Sequence, residues 1–371
     1  MKFFSAFFAL IIAGFFVAGP FDLPCVGVVS AVAAAAKNAD ESDDFSVGIE
    51  ELPGENWNAP WPKTTKLSDM LPAKIVEEGD GKYIYETEHF RFTATAPIML
   101  SAIRDIARVF EGTRVANLSL PISSPCNYYQ VAEKGKLQAY LYETREQYLK
   151  ALDSPLLSQS AGVCHTTDKM ETTSIHVPFE SLGLEKSGAK YKKANSRIKA
   201  KTLAHELTHF MVNPGVEYPS WYSEGIAEYV GATKYQSGRF DFSSNKKTLV
   251  AYVTAYGNTK DKGQEGGRHL GKKIVSPYPL KTFMELPYEK FLSGDPQFSY
   301  GFSTLLVYYF FHLDGAKDAA RAKEFIRSRK AMEPLETSYQ KLLDGRSWQE
   351  LEKDFARGMK TLGISVEFPK S

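Results

Sequence analysis

Residues 202–209, which read TLAHELTH, constrain the fold more than any other stretch, because they combine a strong helix pattern with chemically distinctive side chains. From about residue 194 to residue 212 the chain has no Gly or Pro, and apolar residues recur there at three- and four-residue spacings. An Asn-Pro-Gly sequence follows at 213–215 and breaks the pattern. The sequence therefore predicts a helix over 194–212, with His205 and His209 near its C-terminal end.

His205, Glu206 and His209 form the pattern H-E-x-x-H. Side chains four residues apart on a helix project from one face, about one turn (~5.4 Å) from each other. Two imidazoles in that arrangement can both bind one zinc ion at about 2.0–2.1 Å, and Glu206 between them can act as general base on a water that the zinc activates. The pattern also arises by chance in roughly one chain in a hundred of this length, so histidines that only pack on a helix remain an alternative.

A second motif, WYSEGIAEY, runs from Trp221 to Tyr229. With this motif beside H-E-x-x-H, the chain resembles gluzincin metallopeptidases, and in particular the peptidase-MA-like group, in which the second motif is a W-x-x-E-G-x-A-E-Y helix. The resemblance is strong over residues 203–231 and vaguer elsewhere. It implies a zincin-like fold, zinc as the cofactor and peptide-bond hydrolysis as the activity.

The resemblance implies that Glu224 is the third zinc ligand and that Glu228, one turn later, orients a ligand histidine. A catalytic zinc site needs three protein ligands and an open position for water, which two histidines and one carboxylate supply. Glu224 and Glu228 are four residues apart and share a helix face, so either could reach the metal. Eighteen residues separate His209 from Glu228, a gap common in gluzincins, whereas fourteen separate it from Glu224. The W-x-x-E-G frame favours Glu224.

Other metal patterns fit less well. A metzincin would carry Gly at position 212 and a third His at position 215, but Val212 and Gly215 occupy these positions, which excludes that class. His165 and His176 lie outside both motifs, and we expect them to be structural or exposed rather than metal ligands.

The resemblance also assigns a role to a tyrosine at the head of a later helix, because in the family this tyrosine faces the metal and donates to the oxyanion. Tyr300 is the candidate, since it lies at the start of a strongly apolar segment, 298–313, that predicts a helix. Tyr222 and His312 are rival candidates for the same role. Most other residues of this segment are expected in the buried core.

Residues 1–36 have the pattern of an export signal. A basic second residue precedes an apolar run over 3–18, and alanines farther along offer cleavage points such as the bond after Ala33. Asp22 interrupts the apolar stretch, which therefore lacks the ~20 consecutive apolar residues of a membrane span. We expect an exported protein, whether periplasmic, secreted or associated with the cell envelope. An uncleaved N-terminal anchor is the alternative.

The three cysteines are Cys25, Cys126 and Cys164. Removal of the leader takes Cys25 with it and leaves an even pair in an oxidising compartment. We therefore predict a Cys126–Cys164 disulfide, with two unpaired thiols in a reducing compartment as the alternative.

The order of the predicted elements indicates an α+β protein. Residues 37–80 have the composition of a linker or short pro-segment. Residues 81–185 alternate strands and helices and predict a mixed α/β subdomain, and residues 186–371 are expected to form a mainly helical zinc-binding and C-terminal region. In zincin-like folds an edge strand before the zinc helix pairs with an extended peptide, and 172–177 is the expected edge strand.

A net charge of +1 gives no reason to expect a polyanionic partner. The Lys- and Arg-rich stretch 186–201 is expected to form a solvated helix face, and 238–271 a long surface loop. The expected partner is a peptide or protein substrate, with no nucleic acid, and with membrane contact only through an uncleaved leader. The sequence leaves the oligomeric state open.

Together these patterns predict an exported zinc metallopeptidase. His205, His209 and Glu224 bind the zinc, Glu206 is the general base and Tyr300 stabilises the oxyanion. A catalytically inert zincin-like binding protein is one alternative. An exported interaction protein whose histidines are purely structural is another.

Overall fold

The computed structural model describes residues 10–13, 57–67, 71–79, 81–122, 132–133, 136–154, 160–166, 173–194, 199–212, 216–254 and 267–369. These residues form a mixed α/β protein with one large sheet, three small sheets and a group of packed helices. None of the helices in these ranges is long and apolar enough to cross a membrane.

The strands, in chain order, are β1 (Leu10–Ala13), β2 (Thr64–Lys66), β3 (Lys74–Gly79), β4 (Lys82–Glu86), β5 (Phe90–Ala94), β6 (Ala132–Glu133), β7 (Lys136–Tyr142), β8 (Val163–Thr166), β9 (Thr173–Pro178), β10 (Leu184–Ser187), β11 (Lys190–Lys193), β12 (Lys234–Gln236), β13 (Arg239–Asp241), β14 (Lys273–Val275) and β15 (Ser365–Glu367). The helices are α1 (Leu100–Ser119), α2 (Arg145–Leu152), α3 (Ala200–Val212), α4 (Ser220–Ala232), α5 (Asn245–Thr254), α6 (Leu280–Met284), α7 (Tyr288–Ser293), α8 (Pro296–His312), α9 (Ala320–Lys330), α10 (Leu335–Leu343) and α11 (Trp348–Lys360).

The large sheet has the order β1-β8-β9-β7-β5-β4-β3, with β6 paired to β7. β5, β7 and β9 are parallel, and the flanking strands are antiparallel to their neighbours. Phe90 and Phe92 alternate along β5 and face one buried side of the sheet. On that side Phe110 of α1 lies 5.1 Å from Phe92, ring centre to ring centre, and Phe210 of α3 joins the same core. The helix that carries both motif histidines is therefore held against the apolar face of the sheet.

The helical part is built around α4 and α8, which pack against each other. α8 is buried from Phe298 to Phe311, as expected of a helix that is apolar on all sides. The side chain of Asp295 accepts hydrogen bonds from the backbone N–H groups of Gln297 and Phe298 and so caps its N-terminus. α4 in turn packs against α3, which joins the helical part to the sheet.

Residues 57–67 pack on the helical part, although they belong to the segment with the composition of a linker or pro-segment. Trp57 is buried, the rings of Trp61 and His312 have centres 4.6 Å apart, and β2 pairs with β13. β1 lies within the predicted leader and pairs with β8. Cleavage after Ala33 would therefore remove β1 from the sheet.

The strand expected at the edge of the sheet is an interior strand. β9, which covers the predicted range 172–177, has β7 on one side and β8 on the other. β8 runs antiparallel to β9, and β1 occupies the edge position beyond β8. β8 has only four residues, VCHT, and such a short stretch lacks the alternation by which strands are recognised. The predicted edge strand therefore lies two strands in from the edge, and the edge prediction was wrong.

The basic stretch forms a hairpin rather than a helix face. β10 and β11 pair around a turn in which Gly188 has φ 62°, a conformation that favours glycine. α3 begins only at Ala200. Lys193 lies on this hairpin, and its Nζ is 3.0 Å from a carboxylate oxygen of Asp105. The prediction of a solvated helix face was therefore wrong in its secondary structure, because β10 and β11 are strands.

The predicted surface loop 238–271 contains β13 and α5. Leu249, Tyr252 and Val253 of α5 are buried, because they form one apolar stripe of that helix. Residues 255–266 lie outside the described residues. His269 is exposed, as expected, but the residue before it is buried.

Cys164 is a free thiol in this structure, so the predicted Cys126–Cys164 disulfide is wrong. The Cys164 side chain faces the core beside Ile175 and Val177, where a partner cysteine would have to enter the packed interior. Burial raises the pKa of this thiol well above its ordinary value, which keeps it protonated. Cys126 itself lies outside the described residues.

Candidate metal centre

Helices α3 and α4 carry the two motifs, and glycines on α4 allow close packing. A Cβ atom at Gly231 would lie 2.9 Å from the carbonyl oxygen of Lys201 on α3. A Cβ atom at Gly225 would lie 2.6 Å from the carbonyl oxygen of Ser303 on α8. Both distances are shorter than real Cβ contacts, so only glycine permits α4 to lie this close to both neighbours. Gly231 thus lets α4, which carries Glu224, lie close to α3, and Gly225 lets α4 lie close to α8.

The side chains of His205, His209 and Glu224 converge on one point. The Nε2 atoms of the two histidines are 3.1 Å apart, and each lies 3.3 Å from Oε2 of Glu224. All three residues are buried, with exposed fractions of 5%, 1% and 1%. One ligand atom from each residue lies within 4.8 Å of the other two, so this buried group could hold a metal ion.

The chemistry of these atoms fits a metal ion. Within the described residues, the buried Oε2 of Glu224 has no hydrogen-bond partner, and a buried carboxylate oxygen needs one. The Nε2 atoms of His205 and His209 face Oε2 of Glu224 and also face each other. In a hydrogen bond between the two rings, one Nε2 must donate and the other must accept. A cation between the three atoms satisfies all of them, and two imidazoles with one carboxylate form a known donor set for catalytic zinc.

The surroundings of the site shift the pKa values of all three residues, and they favour an ionised carboxylate at Glu224 and a neutral imidazole at His209. Burial by itself raises the pKa of Glu224, but His209 and His205 outweigh burial and lower it, which keeps the carboxylate ionised. Burial lowers the pKa of His209, so its imidazole is neutral and offers a lone pair. His205 differs, because burial lowers its pKa but the carboxylates of Glu224 and Glu228 outweigh burial and raise it.

Glu228 lies on the other side of His205. Its Oε1 is 2.9 Å from Nδ1 of His205, whereas Glu224 faces Nε2 of the same ring. The two glutamates, which the sequence left in competition for the metal, therefore contact opposite nitrogens. A carboxylate at Nδ1 fixes the orientation and the tautomer of a histidine that binds a metal through Nε2.

Two residues that the sequence did not indicate complete the surroundings of Glu228. Arg268 donates from Nε to Oε2 at 2.9 Å and from Nη2 to Oε1 at 2.5 Å, and the Tyr252 hydroxyl donates to Oε2 at 2.5 Å. Tyr252 could have been found from the apolar stripe of α5, which predicts a helix. No pattern marks Arg268, because it comes from an irregular segment about forty residues beyond Glu228.

Glu206 is buried on α3 between the two histidines, with both carboxylate oxygens inside the protein. The start of β8 packs against it, since a Cβ atom at Gly162 would lie 3.9 Å from Cγ of Glu206. Burial, and after it the charge of Glu206, raises the pKa of Cys164 on the same strand. The candidate general base therefore lies between the candidate metal ligands and the outer strands of the sheet.

Of the three candidates for the oxyanion role, Tyr300 lies beside the candidate metal ligands. Its ring centre is 6.1 Å from that of His205, and it is fully buried. Burial raises the pKa of its phenol well above the ordinary value, so the group is a donor. The Tyr222 ring packs instead against Tyr218 and lies in the helical core, and Nε2 of His312 is 2.9 Å from the Tyr229 hydroxyl.

His165 and His176 lie apart from the metal ligands. On the outer face of the sheet, Nδ1 of His176 is 2.7 Å from the Tyr142 hydroxyl and Nε2 is 2.8 Å from the Ser174 hydroxyl. Burial lowers the pKa of His176 to about 3, so its ring is neutral. The ring of His165 packs edge-on against it.

Comparison with known proteins adds no relative to these observations. A scan against protein-family models found no match, and a search of curated proteins found no significant match. The case for this site therefore rests on its own residues and their geometry.

Proposed function

We propose that the protein is an exported, zinc-dependent metallopeptidase of the gluzincin type. The observation that carries this proposal is the convergence of His205 Nε2, His209 Nε2 and Glu224 Oε2 within 3.3 Å of one another, with Glu206 on the same helix as both histidines. Catalytic zinc sites with two His and one Glu are a known class among peptidases. The zincin-like assignment rests on the two motifs, and export rests on the leader pattern.

His205, His209 and Glu224 would hold the zinc. When bound, zinc polarises the scissile carbonyl and lowers the pKa of its water from 15.7 toward about 7. Glu228 holds the ring of His205 from the opposite nitrogen, at 2.9 Å. This arrangement keeps Nε2 of His205 directed at the ligand position.

Glu206 and Tyr300 supply the proton transfers and the oxyanion contact. Glu206 accepts the proton of the attacking water and delivers it to the amine that leaves. The buried phenol of Tyr300 stays protonated and donates to the oxyanion that develops on the former carbonyl. Donors of this kind contribute about 2.7–4 kcal/mol to catalysis in other hydrolases.

An extended peptide is the substrate that suits the sheet next to Glu206. β8 lies beside β9 and packs on the side of Glu206, and its outer edge pairs in the full chain with β1 of the leader. After leader removal this edge offers backbone N–H and C=O groups to a substrate strand. We therefore propose that β8, rather than residues 172–177, pairs with the extended peptide substrate.

A single substitution tests the proposal. Glu206→Gln keeps the shape of the side chain but removes the base, so we expect peptide hydrolysis to fall by about 10²–10⁴-fold while zinc remains bound. Zinc content is measured by elemental analysis, and hydrolysis is followed on a quenched fluorescent peptide library. Glu336→Gln is the matched control, because it makes the same chemical change at an exposed residue of α10.

Three outcomes contradict the proposal in different ways. Full activity in Glu206→Gln would exclude Glu206 as the base. A wild-type protein that holds stoichiometric zinc but cleaves no peptide would be the inert binding protein. A wild-type protein with no affinity for zinc would leave the histidines with a structural role only.

A further inference from the structure

Arg268 forms a buried fork with the glutamate behind the metal ligands. Its exposed fraction is 4%, and its Nε and Nη2 atoms donate to the two different oxygens of Glu228. The Tyr252 hydroxyl also donates to Oε2 of Glu228, and Nδ1 of His205 lies 2.9 Å from Oε1. The guanidinium plane therefore sets the plane of the carboxylate that faces His205.

The same guanidinium also contacts the tyrosine of the site. Cζ of Arg268 lies 4.5 Å from the centre of the Tyr300 ring. An Arg over an aromatic face at this distance makes a cation–π contact, which is stronger in a buried environment. One side chain thus contacts both the residue that orients a metal ligand and the residue that we propose as oxyanion donor.

Arg268 reaches this position through a short segment that is itself held by both neighbouring helices. We call residues 268–271 the Arg268 strap. Its backbone N–H groups at Arg268 and Leu270 donate to the carbonyls of Tyr252 and Val253, at 2.8 and 2.9 Å. On its other side Gly301 of α8 leaves room for it, since a Cβ atom there would lie 3.0 Å from Cβ of Arg268. The strap is therefore anchored beside Tyr300.

We propose that Arg268 is a positioning residue for both halves of the site. Through its fork it holds Glu228 in the plane that fixes His205, and through its face it holds the ring of Tyr300. This inference rests on the proposed function. It adds to that function a residue that lies outside both sequence motifs. The side chain of this residue donates hydrogen bonds to Glu228.

We expect the planar shape of the Arg268 side chain, rather than its charge, to position Glu228 and Tyr300. Arg268→Lys distinguishes the contribution of shape from that of charge. Lysine keeps the positive charge but has neither the planar fork nor a stacking face. We expect Arg268→Lys to weaken metal binding by about 10–100-fold, the range seen when residues behind metal ligands are changed. We also expect kcat to fall with little change in KM, because Arg268 orients groups of the protein and not the peptide.

The experiment uses the full protein with zinc and with Co²⁺. Zinc affinity is measured by competition with a chromophoric chelator, the visible spectrum of bound Co²⁺ reports the ligand geometry, and kcat and KM come from one quenched fluorescent peptide. Arg346→Lys is the matched control, because Arg346 forms a similar fork with Asp314, at 2.9 and 3.1 Å, far along the chain from the motifs. We expect it to lower the melting temperature but to leave zinc affinity and the Co²⁺ spectrum unchanged.

A double-variant cycle with Glu228→Gln tests whether Arg268 acts through Glu228. If it does, Arg268→Lys should have little further effect on zinc affinity when Glu228 is already Gln, so the two changes are not additive. Additive losses would overturn the proposal. Wild-type affinity and an unchanged Co²⁺ spectrum in a folded Arg268→Lys protein would overturn it as well.

These results separate the inference from the proposed function. A wild-type protein that binds zinc and cleaves peptide, beside an Arg268→Lys variant that equals it, refutes the role of Arg268 alone. A wild-type protein that binds no zinc refutes both. If Arg268→Lys fails to fold, Gly301→Ala displaces the strap by its contact with Cβ of Arg268 and should produce the same loss of metal affinity. Unchanged affinity in a folded Gly301→Ala variant then counts against the proposal.

Discussion

Gly225→Ala tests whether the packing of α4 sets the metal geometry. A Cβ atom at this position would lie 2.6 Å from the carbonyl oxygen of Ser303 and 2.6 Å from Cγ2 of Val307, whereas ordinary contacts begin near 3.4 Å. The oxygen belongs to the backbone of α8 and cannot rotate away. α4 must therefore move from α8 by about 0.8 Å, the difference between 3.4 Å and 2.6 Å.

This displacement is large on the scale of metal coordination. Ligand distances tolerate about ±0.2 Å, and Glu224 precedes Gly225 directly in the chain. We therefore expect zinc affinity to fall at least about tenfold, and activity to fall by about 10²-fold, as for a misplacement of about 1 Å. Overpacking costs about 1–3 kcal/mol, but Ala returns about 1 kcal/mol of helix propensity, so global stability falls by only about 0–2 kcal/mol.

The assay compares zinc affinity with stability in three variants. Adding Val307→Ala to Gly225→Ala removes Cγ2 but leaves the backbone oxygen, so it should not restore binding. Leu343→Ala in α10 is the control for stability, because a buried Leu→Ala change costs about 2–5 kcal/mol while leaving α4 in place. Wild-type zinc affinity in Gly225→Ala, or its full recovery with Val307→Ala, would refute the reasoning.

Three further predictions concern other groups. Tyr300→Phe should lower kcat by about 10²–10³-fold with zinc affinity unchanged, and an equal loss in zinc affinity would argue against an oxyanion role. Chelation should lower the melting temperature reversibly, because an ion at 100 times its Kd stabilises the native state by about 2.7 kcal/mol; a constant melting temperature would mean that no metal binds. Burial raises the pKa of Glu111, but the hydrogen bonds from His89 and Thr87 outweigh burial, and the pKa is lowered. The ionised Glu111 carboxylate therefore stabilises the fold above pH 4.5, and this stabilisation is lost as pH falls through the lowered pKa. Urea unfolding should therefore show Glu111→Gln to be about 1–3 kcal/mol less stable at pH 7 and nearer to wild type at pH 3, and a gap that is constant with pH would contradict this.

Local patterns predicted most of the elements that carry the site. The spacing of apolar residues predicted α3 and α8. Helical geometry alone places His205 and His209 on one face, so that part of the site needed no tertiary information. The pairing of the two motifs predicted that α4 would supply a carboxylate.

Long-range packing decided what the sequence left open or had wrong. Glu224 and Glu228 share a face of α4, and only the rotation and distance of α4 against α3 place one at Nε2 and the other at Nδ1 of His205. The position of β8 between β1 and β9 depends on strand pairing, which a four-residue stretch cannot signal. The free thiol of Cys164 follows from its burial on the core face of that strand.

The sequence by itself determined the candidates for the proposed chemistry: which residues could bind a metal or act as base, and which helices carry them. It did so because these properties depend on residues within one or two helical turns. The tertiary structure alone decided how α4 lies against α3, which brings Glu224 to the histidine Nε2 atoms as the motif favoured. It also decided that Arg268 contacts the other glutamate and which strand borders Glu206. These features depend on contacts between segments that are distant in the chain, where glycines, a buried guanidinium and strand order act through packing rather than through any local pattern.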